Sequence, residues 1–345
     1  MTTPPQGPPP GLPPTHWEGA GPHPGGYPPP YGGYPPPYPP QPPVDPVTAH
    51  PHQQPTPYHQ MYRTWGYSWW RPVVGVLLII VGFFIVAPII AAPILLVGAF
   101  VEGSGDYLQR IQDFASFTTI SVTGLLYVNV AIALLTTIVW FLVRVMHRLR
   151  HRWISSVRPG IRWRFLWVSL GMAFVTLIVT YVVSAFIPTS GDPAAGMNVN
   201  PFDTKMLLLI LVVVFTTPLQ AIGEEYAFRG YLLQAFGSLL KNQWFAILGS
   251  AVIFALAHGS QNFPLFFDRL AFGLVAAWLV IRTGGLEAGI AMHILNNLLA
   301  FGSAILFGDV AASMDVQTIS WWNIPVTLTQ SILYAALILW MAKVM

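Results

Sequence analysis

Between residues 73 and 101 the chain carries no charged side chain, and almost every position is Val, Leu, Ile, Ala, Phe, Gly or Pro. About 20 apolar residues suffice to cross the roughly 30 Å hydrocarbon core of a bilayer as a helix. Inside that core an unbroken apolar run satisfies its backbone polar groups by coiling into a helix. Comparable runs recur at 117–143, 165–187, 206–240, 244–258, 267–281, 286–307 and 324–341. The pattern predicts an all-α fold, a polytopic transmembrane helix bundle of about eight spans, with kinks at Pro88 and Pro93 in the first. Charge usage agrees, because only 8% of residues are charged against about a quarter in soluble domains. Spans five and six are shorter than the rest. Short segments beside polar residues suggest a cavity open to water, where irregular backbone is tolerated.

The first 64 residues are different in kind. They hold most of the 33 prolines, with Gly-Tyr-Pro-Pro-Pro-Tyr units and few branched aliphatics, so a disordered Pro-rich cytoplasmic tail of polyproline II character is expected. Its partner is unknown from sequence. Residues 65–71 read as an interfacial aromatic belt. Residues 65–164 then form two N-terminal transmembrane helices and a basic loop, and residues 165–345 the remaining domain. The chain has no cysteine, which excludes disulfides, thiol nucleophiles and cysteine-ligated metals. Its net charge of +3 comes without a basic, aromatic-backed stripe, so no nucleic-acid partner is expected. Seven arginines between Arg144 and Arg164 mark a cytoplasmic loop by the positive-inside rule. That placement makes the chain a multi-pass cell-membrane protein with both termini cytoplasmic.

Ionisable residues inside spans are costly and mark function by default. Glu224, Glu225 and Arg229 sit in an otherwise apolar stretch. Glu225 and Arg229, four apart with the acid first, share a helix face and suit an ion pair. Glu224 lies about 100° away on a 3.6-residue helix, which leaves it without a mate. A carboxylate lacking a counter-ion in low dielectric is a stronger base than in water, as a general base requires. The structural alternative is that both acids and the arginine staple helices together. His258 ends the fifth span one turn after Phe254; alone it would be a packing histidine. His293 and Asn297 also share a face and could donate to a developing oxyanion or bind helices together. Three such interruptions in separate spans point to one site.

In order, Glu-Glu-x-x-x-Arg (Glu224, Glu225, Arg229), Phe-x-x-x-His (Phe254, His258) and His-x-x-x-Asn (His293, Asn297) resemble the signature of the CAAX protease and bacteriocin-processing family. Those membrane-embedded endopeptidases include the type II CAAX prenyl proteases and the Abi and lysostaphin-resistance-like proteins. The resemblance spans roughly residues 165–345 and implies an eight-helix bundle. It also implies that Glu224 activates the attacking water, His258 helps hold it, and His293 and Asn297 form the oxyanion site. Glu225, Arg229 and Phe254 would support the pocket. Asn296 stays a rival to Asn297. Family members are often classed as metalloendopeptidases, so zinc is the alternative, on Glu224, His258 and His293. No His-Glu-x-x-His is present, and no cofactor is the favoured reading.

The function expected is an intramembrane endopeptidase acting on a membrane-associated peptide or protein at the inner leaflet, with CAAX-type C-terminal processing as one form. The rivals are a proton-coupled transporter and a non-proteolytic membrane scaffold. Other protease patterns fail: there is no Gly-x-Ser-x-Gly, and Gly103-Ser104-Gly105-Asp106 lies in a loop.

Overall fold

The computed structural model describes residues 51–52, 54–101, 106–116, 121–187, 199–308 and 316–345. Most of the tail expected to be disordered, residues 1–50, lies outside them. The same is true of the 103–105 part of the Gly-Ser-Gly-Asp loop.

Among the described residues the fold is helical throughout, with a single bridge pair, Ser156 and Gly285, outside the helices. Helix α1 is Trp70–Val101 and α3 is Val122–Met146, with the short amphipathic α2 at Tyr107–Ser116 between them. There follow α4 (Trp163–Ser184), α5 (Thr204–Leu240), α6 (Gln243–Leu256), α7 (Phe263–Thr283), α8 (Glu287–Phe307) and α9 (Asn323–Val344). Seven of these are long and apolar enough to cross a membrane, and α6 is the shorter eighth. The sixth run, expected to be short, is a full-length helix. Asn262 accepts from Leu265 N–H at 3.2 Å, with a proline in the first turn, so α7 starts earlier than the apolar pattern does. Likewise α3 begins at Val122, where Ser121 Oγ accepts from Gly124 N–H at 2.8 Å.

Two helices contain a π turn. In α1 it covers Gly82–Val86, and Ala87 N–H bonds back five residues to Gly82. The turn sits just before Pro88, whose ring and missing N–H disrupt ordinary α bonding one turn earlier. In α5 it covers Tyr226–Leu232, and Leu233 N–H reaches Phe228. This π turn lies inside a continuous helix, directly after Glu225.

The helix ends sort into two groups. At one end the segments around 58–67, 147–162, 238–242 and 283–287 meet. Tyr58 Oη donates to Ile154 O (2.5 Å), Arg63 Nε to Ser238 O (2.6 Å), and Val157 N–H to Gly284 O (2.8 Å). Arg162 forms an ion pair with Glu287 at 2.6 Å. At the other end Asn200 binds Leu306 O, and Asn262 binds Gln317 O and Ile319 O. Successive helices alternate between these ends, with α6 crossing as a short leg. Both the chain leading into α1 and the end of α9 thus lie at the arginine-rich end.

Residues 58–64, expected to belong to the loose tail, instead form a strap. Tyr58, Met61 and Tyr62 are at most 1% exposed, and Tyr62 stacks on His147 at 3.7 Å. The main core joins Tyr58 and Tyr62 to α3, α5 and α8 through Leu135, Tyr231 and Ile290.

Candidate active site

Helix α5 approaches α3 closely enough that a Cβ on Gly223 would collide with the Ile132 carbonyl. Asn129 Nδ2 ties the same pair by donating to Thr216 Oγ1 (2.8 Å) and Thr217 Oγ1 (3.1 Å). That contact fixes the register of the next two residues, Glu224 and Glu225, which are 7% and 0% exposed.

The two carboxylates have separate partners. Glu225 Oε1 accepts from Arg229 Nη1 at 2.8 Å, and His293 Nδ1 lies 2.8 Å from the same oxygen. Arg229 is fully buried, with its guanidinium 4.0 Å from the centre of the Phe254 ring and 5.2 Å from that of Phe272. A desolvated cation over two aromatic faces is favourably held. A buried staple, the alternative reading of the sequence, is present with Glu225, Arg229 and His293 as its members, and Glu224 approaches it only through His293 Nε2 at 3.5 Å.

Glu224 Oε1 accepts from Gln220 Nε2 at 2.5 Å, and Gln220 Oε1 accepts from Asn297 Nδ2 at 2.9 Å. Its other oxygen, Oε2, has no hydrogen-bond partner and lies 3.5 Å from His293 Nε2. An amide chain thus orients the carboxylate from behind while one oxygen stays available. Asn296 is occupied elsewhere, accepting from Gln330 Nε2 of α9 at 2.7 Å. Asn297 is accordingly the asparagine joined to Glu224. Gln220 was missed in the sequence, although it lies one turn before Glu224 on the same face.

Glu224, Phe254, His258, His293 and Asn297 all line one cavity of about 540 Å³. Glu225 and Arg229 lie behind its wall. His258 follows the end of α6 and is exposed. Its Nδ1 is 2.8 Å from Phe254 O, which leaves Nε2 as the free ring atom, and its ring packs edge-on to Phe254 at 4.8 Å. Phe254 in turn meets the His293 ring edge-on at 5.9 Å. Phe272, 5.2 Å from the His293 ring, had no distinguishing sequence signal.

Among the described residues no three His, Asp or Glu side chains converge as metal ligands. The Nδ1 bonds of His293 to Glu225 and of His258 to Phe254 O leave both Nε2 atoms as the available ring nitrogens, as in a metal-bound histidine. Glu224, His258 and His293 nevertheless do not converge on one point, so zinc on that set does not fit.

Residues 205–299 match the family model described as Rce1-like, type II CAAX prenyl endopeptidase Rce1-like. The match includes all seven motif residues and is shorter than the 165–345 region of resemblance. The uncharacterized protein YyaK of Bacillus subtilis (strain 168) is 24% identical over 216 residues, covering 59% of this chain and 71% of that protein. No solved structure matches the chain significantly.

Proposed function

We propose that this chain, matched over residues 205–299 by a model of type II CAAX prenyl endopeptidases, hydrolyses a peptide bond within the membrane by a Glu224-activated water. The observation that carries the reading is the free Glu224 Oε2, 3.5 Å from His293 Nε2 at the wall of a cavity. A water hydrogen-bonded to that oxygen gives it a proton as its own oxygen attacks the scissile carbonyl carbon. The carbonyl oxygen becomes an oxyanion. When the carbon–nitrogen bond breaks, the proton on Glu224 passes to the leaving amine.

His293 donates Nδ1–H to Glu225, so Nε2 is the atom offered to the cavity. His293 Nε2, 3.5 Å from Glu224 Oε2, stands beside the position where the oxyanion develops. Asn297 holds Gln220 and has a second amide hydrogen for the same oxyanion. His258 Nε2 helps hold the water. Glu225 and Arg229 position His293. No step requires a metal.

The test is turnover of a membrane peptide library by purified protein in detergent. Glu224→Gln keeps the shape and the Gln220 contact while removing the base, and it should abolish cleavage with insertion and melting temperature unchanged. A cleaving Glu224→Gln protein would remove the reading.

A further inference from the structure

We infer that substrate reaches Glu224 from the end of the bundle opposite the arginine-rich loop, the extracytoplasmic face, so the substrate is an exported or outward-facing polypeptide segment. The inference rests on the proteolytic reading for the word substrate, but the direction of access is argued from geometry alone.

The cavity is one-sided. Val128 and Asn129 on α3, Leu265 and Arg269 on α7 and Thr327 and Gln330 on α9 line it from the half of each helix away from the arginines. Val275 on α7 and Gly289 and His293 on α8 line its deeper part, and no lining residue belongs to the 58–67, 147–162, 238–242 or 283–287 segments. Val316, in the segment between α8 and α9 that Asn262 binds at the same end, also lines it.

The other end is sealed. Between Glu225 and the arginine-rich surface lie Arg229, Tyr231 and Leu286, each fully buried, and then the strap residues Tyr58 and Tyr62, 1% exposed. Arg63 fastens the strap through the carbonyls of Ser238 and Leu239, and a Cβ on Gly237 would collide with the strap's His59 carbonyl.

Charge then says which end is which. Of the 16 lysines and arginines, twelve lie at the sealed end: Arg63, Arg71, the seven from Arg144 to Arg164, Lys241, Arg282 and Lys343. Glu287 is the one acid there among the described residues, and Arg162 pairs with it. Asp106, Asp113 and Asp203 lie at the open end, with Arg110 and Lys205 as the cations beside them. Short loops rich in Lys and Arg stay in the cytoplasm, so the open end faces out. This moves the scissile bond away from the inner leaflet, where the sequence had set it. A lipidated C-terminal tail made in the cytoplasm would not meet such a mouth.

The chain has no cysteine, so single-cysteine variants can be labelled without background. Val316→Cys and Ser331→Cys report the cavity, and Arg150→Cys reports the exposed basic loop. In sealed right-side-out vesicles, a membrane-impermeant maleimide should react with both cavity cysteines at once and with Arg150→Cys only after permeabilisation. Cavity cysteines that stay unreactive until permeabilisation would overturn the inference. Labelling needs no turnover, so its failure is distinct from failure of the proteolytic reading, which would appear as wild-type cleavage by Glu224→Gln in detergent.

Discussion

At the scale of single residues, Glu224 and Glu225 are adjacent in sequence and opposite in circumstance. Glu225 is paired with Arg229 and bonded to His293, whereas Glu224 is hydrogen-bonded only to the Gln220 amide and has His293 Nε2 3.5 Å from its other oxygen. Helical geometry foretold that split, since four-residue spacing selects one acid for the arginine. Geometry did not foretell Gln220, an uncharged residue in an apolar run whose value appears only when Asn297 of α8 arrives beside it. Gln220→Leu should leave Glu224 Oε1 and Asn297 Nδ2 without partners, an unsatisfied cost of about 1–3 kcal/mol. We expect kcat to fall with KM little changed; wild-type kcat in this variant would mean the amide chain does not orient the base. The rivalry of Asn296 and Asn297 was also illegible, because adjacent asparagines differ only in which helix each faces.

At the scale of elements, the site depends on the close approach of α3 and α5. Gly223→Ala drives a methyl against the Ile132 carbonyl, and overpacking of this kind costs about 1–3 kcal/mol. Gly302→Ala, with nothing within 4 Å of the added atom, is the control. The prediction is a lower melting temperature and reduced activity for Gly223→Ala alone, read by thermal denaturation in detergent; equal melting of both variants would contradict it. The spans themselves were legible because uncharged runs of that length have few other solutions. The π turn after Glu225 was not. Proline marks the one in α1, but Tyr226–Leu232 contains no proline, and its spacing arises from packing.

At the scale of the whole molecule, the strap was hidden by composition, since proline-rich surroundings masked Tyr58 and Tyr62 as core residues. It gives the protein an acid-sensitive seam. Burial, and then the nearby charge of Arg71, lower His147 from its ordinary 6.5 to about 3. A folded-state value below the unfolded one means the neutral ring is favoured in the fold. That contribution is complete above about pH 6.5 and is lost as pH falls from there toward 3. Hydrogen-exchange protection factors across residues 58–64, corrected for the intrinsic pH dependence of exchange, should therefore fall between pH 7 and pH 4. His147→Phe, which keeps an aromatic ring against Tyr62 without a titrating group, should blunt the response; an unchanged acid response would exclude His147 as its source. Metal dependence of the proposed activity also belongs to this scale. Strong chelators should leave turnover unaltered, and inhibition reversed by added zinc would contradict the Glu224-only activation of water.

The central claim is that Glu224 takes a proton from water to break a peptide bond. Its most direct measurement is mass spectrometry of membrane peptides incubated with wild-type protein and with Glu224→Gln. We predict new termini with the wild type and a loss of about 10²–10⁴-fold or more in their formation with the variant, the range typical of removing a general base. New termini formed equally by both proteins, or by neither, would contradict the claim.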